Sequence, residues 1–297
     1  MPTRKQAKDA IGHARDIADQ DQDILGPLHP ETLASQMKLA KALIDGGESR
    51  AALALLGTIL PMVREVHGET SRETLRVEEL LAPLQRGAGA LNIVKTRQER
   101  LVTAVIRDWG LDNDITFWVK RELAKTLLDL GAEQEAAVLL QETLEGSIRV
   151  HGDRHMETLR TMAWLANAKR QAHDYCGAQI LDAEVLQCAI AMEVDARFVL
   201  DTKRRLMADA CALNQWGEVL KLGEELVTEA QSRLPEDDDL RRSIERQDKL
   251  VRLLTKNPGT QDRIHKQLKK IVENSAKSEQ FNRRLSRKMR KQGLTDQ

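Results

Sequence analysis

The sequence predicts an all-α array of stacked helical hairpins. Three observations carry this. First, hydrophobic residues reach 41% of the 297 residues while aromatics are only 3%, with 7 Pro and 17 Gly. That composition supports a core, argues against a β-sandwich or barrel, and is built from Ala, Leu, Glu, Gln, Lys and Arg, the residues that favour helix. Second, a threonine recurs every 42 residues, at Thr32, Thr74, Thr116 and Thr158. Third, a Leu-Ala pair follows each threonine in the same register, at Leu39-Ala40, Leu81-Ala82, Leu123-Ala124 and Leu165-Ala166, with Gly47, Gly89, Gly131 and His173 eight positions further on. A fixed period of this length marks a repeat architecture.

Taken in order, residues 1–28 read as an N-terminal capping helix whose apolar face is Ala7, Ala10, Ile11, Ala14, Ile17 and Ala18. Five repeats follow over 29–240. In the first, 29–70, Thr32 with Glu31 and Pro30 sits where a helix starts and is read as its cap. Leu33, Met37, Leu39, Ala40 and Leu43 give helical spacing, and Asp45-Gly46-Gly47 stops the helix. A second helix runs through Ala51, Ala52, Leu55, Leu56, Ile59, Leu60 and Val63 to His67-Gly68. The repeat 71–112 carries Pro83 inside its first helix, which predicts a bend. Repeats 113–154 and 155–198 are regular. The fifth, 199–240, is degenerate: Thr202 lies 44 residues after Thr158, Gly217 follows 15 residues on, and Asp209-Ala210 fills the Leu-Ala position. The acidic run Pro235–Asp239 is expected to start a capping helix through Leu240, Ile244, Leu250, Val251 and Leu254, and a basic helix or tail completes 241–297. One hairpin cannot bury both of its faces, so neighbours must stack.

These residues resemble tetratricopeptide repeats (TPRs). The 42-residue period and the segment Leu25-Gly26-Pro27-Leu28-His29-Pro30-Glu31-Thr32-Leu33 resemble the kinesin light chain type, over roughly residues 10–235. The resemblance implies a right-handed superhelical solenoid whose concave groove, lined by the first helix of each repeat, holds an extended peptide. Two features depart from the family. No sustained N-terminal heptad pattern is present, so a motor light chain itself is not expected. The family's groove asparagines are mostly missing, with only Asn167 and Asn214 at groove positions.

Within that register the inward positions stand −5, −2, +2 and +5 from the Leu of each Leu-Ala pair. Eight of the 20 are Lys or Arg and one is acidic. The candidate groove residues are Lys41, Arg76, Trp118, Arg121, Lys125, Arg160, Asn167, Arg170 and Arg204. The functional reading is an acidic or C-terminal peptide gripped by Arg forks, with Trp118 as apolar anchor. A solvated helix face rich in Arg is the other reading.

Charge narrows the function further. With 46 Lys+Arg against 46 Asp+Glu the chain is neutral, which argues against a globally basic nucleic-acid binder. Residues 261–297 nevertheless hold 11 Lys+Arg and 4 acidic residues. The tail's Arg283, Arg284, Arg287, Lys288, Arg290 and Lys291 can be read as a solvated helix end, a nuclear-import or nucleic-acid contact, or a membrane or docking contact. Cys176, Cys188 and Cys211 form no CxxC pair, and are read as buried small hydrophobes in a reducing compartment. No secretion-signal pattern opens the chain, and no apolar stretch reaches the roughly 20 residues of a membrane span. A cytoplasmic location is expected, with the nucleus as the alternative. His151 and His155 are four apart, but Gly152 between them breaks the helix that a zinc pair would need, so they are read as structural. No GxSxG, HExxH, P-loop or GxGxxG motif occurs. The expectation is a non-enzymatic adaptor with no cofactor, metal or catalytic residue, binding an acidic protein segment. The alternatives are a nucleic-acid-associated protein acting through the tail, and a helical-repeat enzyme binding a small anion.

Overall fold

The structure, a computed structural model, describes residues 4–256. Among these it has twelve helices and no strand. The first compact unit ends at Gly110 and the second begins at Leu111. In the first, α1 (Arg4–Leu25) precedes the hairpins α2 (Pro30–Asp45) with α3 (Ser49–His67) and α4 (Arg72–Ala88) with α5 (Leu91–Trp109). In the second, α6 (Asp114–Leu130) pairs with α7 (Glu133–His151), α8 (Met156–Gln171) with α9 (Tyr175–Ala191), and α10 (Ala196–Ala212) with α11 (Trp216–Arg233). The last described helix, α12 (Asp239–Lys256), packs on α11 and α10. Asp238 caps it by accepting the Leu240 and Arg241 amides. The basic tail lies outside the described residues.

The repeating positions form the core. All four Leu-Ala pairs are buried. In the first unit they join Leu33, Leu43, Ala52, Leu56, Ile59 and Val63, with Ile11, Ala14 and Ala18 of α1 closing the end. Each buried Leu or Ile contributes roughly 1.5–3 kcal/mol of transfer free energy, and the alanines keep room for the neighbouring helix. Pro83 does not break α4, which runs on to Ala88.

Two expectations are corrected by the turns. The periodic threonines are not the caps. His29, Ser71, Asn113 and His155, three residues earlier, accept the first amides of α2, α4, α6 and α8. The threonines are buried in the first turn instead. There the Thr74 and Thr158 hydroxyls donate to the Gly68 and Gly152 carbonyls at 2.6 and 2.8 Å, so each staples its helix to the end of the one before.

The fifth repeat sits in a different register. The residue with positive φ in each hairpin turn is Gly47, Gly89, Gly131, His173 and then Asn214. The last step is 41 residues, not 42 or 44, because α9 ends early at Ala191. Thr202 therefore matches Thr161. Each is buried and donates to the carbonyl four residues back, Phe198 and Glu157 respectively. Leu206-Met207 fills the Leu-Ala position, Arg204 stands at −2 rather than −5, and Asn214 is a turn residue rather than a groove residue. Cys176 is exposed, against expectation; only Cys211 is fully buried, which pushes its thiol up to about 11.

Candidate partner-binding face

In the second unit α6 packs on α8 and α10 on α12, a closeness that α7, α9 and α11 do not share with one another. α8 and α10 do not approach each other in that way, but Arg170 of α8 and Asp209 of α10 join them, so the first helices of the hairpins make up one connected side of that stack. The groove candidates divide between the units. Lys41 on α2 and Arg76 on α4 are exposed side chains of the first unit. The other seven, from Trp118 to Arg204, stand on α6, α8 and α10.

Most of those cations are already engaged by the chain. Arg121, 5% exposed, donates to Glu157 at 2.5 Å and to the Thr161 hydroxyl at 3.2 Å, tying α6 to α8. Arg160 donates to the same carboxylate at 2.7 Å but remains 56% exposed. Lys125 pairs with Glu122 and lies 4.7 Å over the Trp164 ring. Arg204 donates to Asp201 at 2.8 Å.

Arg170 is the most deeply placed. Its Nε donates to Asp209 at 2.5 Å and its Nη2 to Asp209 and Asp182, joining α8, α9 and α10. Burial opposes its charge, yet the hydrogen bonds and charges of the two carboxylates outweigh that and hold the guanidinium above its ordinary value. Arg205 supports the cluster through Asp182 at 3.0 Å and Asp201 at 2.6 Å. Desolvation would raise partly exposed Asp201, but Arg204 and Arg205 hold it below the usual carboxylate value. The expected stripe of free arginine forks is therefore corrected. Arg121 and Arg170 are ties between helices, because each of these two faces an acid one hairpin away. What the face presents to solvent is Arg160, with half-buried Trp118, Trp164, Lys125 and Asn167.

Trp164, Glu157 and Asp182 were not among the residues singled out from sequence, and Asp209 was read only as a degenerate repeat position. Arg121 and Glu157 stand 36 residues apart and Arg170 and Asp209 39, separations at which charge pattern alone does not assign partners. The first unit holds a second such cluster. Glu78, 3% exposed, accepts from Arg64 at 3.0 Å and Arg97 at 2.9 Å, and burial still raises its carboxyl above the ordinary value. His155 caps α8, and its ring stacks on His151 at 4.2 Å while His151 Nε2 meets Asp114 at 2.5 Å. No His/Cys/Asp/Glu group able to hold a metal occurs among the described residues. No described helix is long and apolar enough to cross a membrane.

No protein-family model matches the chain, and no curated protein is significantly similar in sequence. Solved structures do match. A variant form of a Podosopora anserina chain of nearly identical TPR-like repeats, assigned as a kinesin light chain, is 21% identical over 64% of this chain and 89% of its own, with TM-score 0.58. BtubC (BKLC) from P. vanneervenii is 18% identical over 79% of this chain and 93% of its own, with TM-score 0.57. A Rap protein complexed with competence and sporulation factor is 9% identical over 98% of this chain and 88% of its own, with TM-score 0.58. The chain thus shares the fold of TPR-like helical-hairpin repeats of the kinesin light chain type.

Proposed function

We propose that this protein is a non-enzymatic scaffold that holds an extended segment of a partner protein on the α6–α8–α10 face. One observation carries the reading. Trp118 and Trp164 remain half-buried on neighbouring first helices instead of joining the core, beside exposed Arg160. A large aromatic left partly exposed on a helix face is the kind of residue that dominates binding energy. A structure that shares this fold, a Rap protein, is complexed with competence and sporulation factor, which supports a bound partner here.

Apolar contact with the two tryptophans is proposed as the main attraction. Acidic groups of the segment contribute through Arg160 and Lys125, and less than eight cationic positions suggest, because Arg121, Arg170 and Arg204 already hold carboxylates. A carboxylate-gripping mode has its remaining support in Lys41 and Arg76, both exposed.

The experiment is selection of a random 12-residue peptide library on the full chain, with counter-selection on Trp118→Ala. Enriched peptides carrying apolar residues, bound at least 10-fold more weakly by Trp118→Ala and a few-fold more weakly by Arg160→Glu, support the proposal. Peptides bound equally by all three forms overturn the placement on this face.

A further inference from the structure

The first unit contains a cavity of about 250 Å³ where α2, α3 and α4 meet. Leu33, Ala34, Met37 and Val63 form apolar walls. Glu31 and Glu73 stand at its edge with His67, both carboxylates on exposed residues. Among the described residues neither carboxylate has an ion-pair partner. We propose that this cavity is a receptor for a basic side chain, a lysine above all, presented by a partner protein: the alkyl stem against the apolar wall and the ammonium against Glu73 and Glu31.

The repeat itself supplies the reason. Glu31 and Glu73 occupy the repeat position of Glu157, since they are 42 apart and Glu157 is 84, two repeats, beyond Glu73. In the second unit that carboxylate is satisfied from within the chain. It takes Arg121 from the preceding first helix at 2.5 Å and Arg160 from its own helix at 2.7 Å. In the first unit the residue equivalent to Arg121 and facing Glu73 is Met37, and the residue one turn on from Glu31, equivalent to Arg160, is Ala34. Arg76, one turn on from Glu73, makes no ion pair with it among the described residues.

The same two replacements open the cavity. Where later repeats carry Arg76, Trp118 and Arg160, the first carries a methyl group at Ala34. A carboxylate position that elsewhere binds a cation here lacks one, and the volume the cation's stem would need stands open beside it. Charge complementarity thus selects a cationic, amphipathic occupant over an acidic or purely apolar one. The four-methylene stem and compact ammonium of lysine suit a narrow apolar slot with carboxylates at one end.

This site is separate from the face proposed above, and Trp118→Ala is expected to leave it intact. The test uses the full chain, with ¹³C-labelled methionine methyls observed by NMR and Met37 assigned by Met37→Leu. Pentylammonium, pentanol and hexanoate are the probes. The expected result is a saturable shift of the Met37 methyl with pentylammonium, at least 10-fold weaker for pentanol and absent for hexanoate. Glu31→Gln/Glu73→Gln should weaken pentylammonium at least 10-fold. Ala34→Arg, which restores the repeat's own cation, should abolish its binding. Equal shifts with pentanol or hexanoate, no shift with pentylammonium, or unchanged binding to a folded Glu31→Gln/Glu73→Gln protein would each overturn the proposal. The probe series on the unmodified chain decides the matter even if a variant fails to fold.

Discussion

Arg170 of α8 grips Asp209 of α10 with two parallel hydrogen bonds, Nε to Oδ1 at 2.5 Å and Nη2 to Oδ2 at 2.7 Å, and neither carboxylate oxygen is left to water. The same guanidinium reaches Asp182 of α9, so one side chain fastens three helices. Removing it strands two buried carboxylates, with only Arg205 remaining beside Asp182. Arg170→Met is therefore expected to destabilise the second unit by about 3–5 kcal/mol, the cost of breaking a buried pair from one side. Urea unfolding monitored by the α8–α10 amides measures it. A loss below about 1 kcal/mol would show that the cluster is solvated.

Arg121 and Arg160 separate structural from available charge. Both donate to Glu157, yet Arg121 is 5% exposed and Arg160 is 56% exposed. Arg121→Ala leaves Glu157 and Thr161 without their inter-helix donor, and a loss of about 2–4 kcal/mol is expected. Arg160→Ala removes a surface pair and should cost less than about 1 kcal/mol. Thermal unfolding of the two variants side by side checks this order. Equal losses would mean that Arg160 is as much a tie as Arg121.

The contrast also shows what a single sequence exposes. The hairpin period was legible because every copy repeats the same short-range needs: an apolar stripe, a small residue at the close approach and a turn residue tolerant of positive φ. Gly47, Gly89 and Gly131 announce that turn. His173 and Asn214 adopt it without being glycine, and the second of them hid the shortening of α9. Two threonines per helix, Thr158 and Thr161, then allowed Thr202 to be matched to the wrong one. The cationic pattern was legible too, but not its use. Arg121 finds Glu157 36 residues away, and only the stacking of hairpins brings such pairs together. The cavity beside Glu73 is a difference between copies, visible in sequence once the first-turn glutamate and its Arg partner are known to form a pair.

Gly146 in α7 tests how tightly the second unit is packed. Helix propensity alone would favour Gly146→Ala by about 1 kcal/mol. A Cβ there would meet the Phe117 ring at 2.8 Å and the Asp112 carboxylate at 3.0 Å. Phe117 is fully buried and cannot swing away, and Asp112 is held by Arg149 at 2.9 Å. Overpacking is expected to outweigh propensity, for a net loss of about 1–3 kcal/mol. Chemical unfolding checks the sign, and a stabilised variant would show that α6 and α7 can separate at no cost.

Acid should loosen the start of α9 through Asp174. Its carboxylate accepts the Gly177 amide at 2.9 Å and pairs with Lys169 at 3.0 Å. The backbone hydrogen bond first, and Lys169 second, hold this carboxyl below its ordinary value of 3.8. A carboxyl lowered on folding stabilises the folded state above the unfolded value, and that contribution fades as pH falls through the folded value. The cap is thus complete at neutral pH and begins to be lost only as pH falls below 3.8 toward the folded value. Asp174→Asn keeps the oxygen acceptor but does not titrate, so it should retain most of the cap and remove this part of the acid dependence. Asp174→Ala should cost about 1 kcal/mol at pH 7 and much less at pH 2.5. Carboxyl ¹³C titration, with a midpoint under 3.8 expected, and unfolding at the two pH values check both halves. A midpoint at or above that value would mean that the Gly177 amide does not hold the charged form.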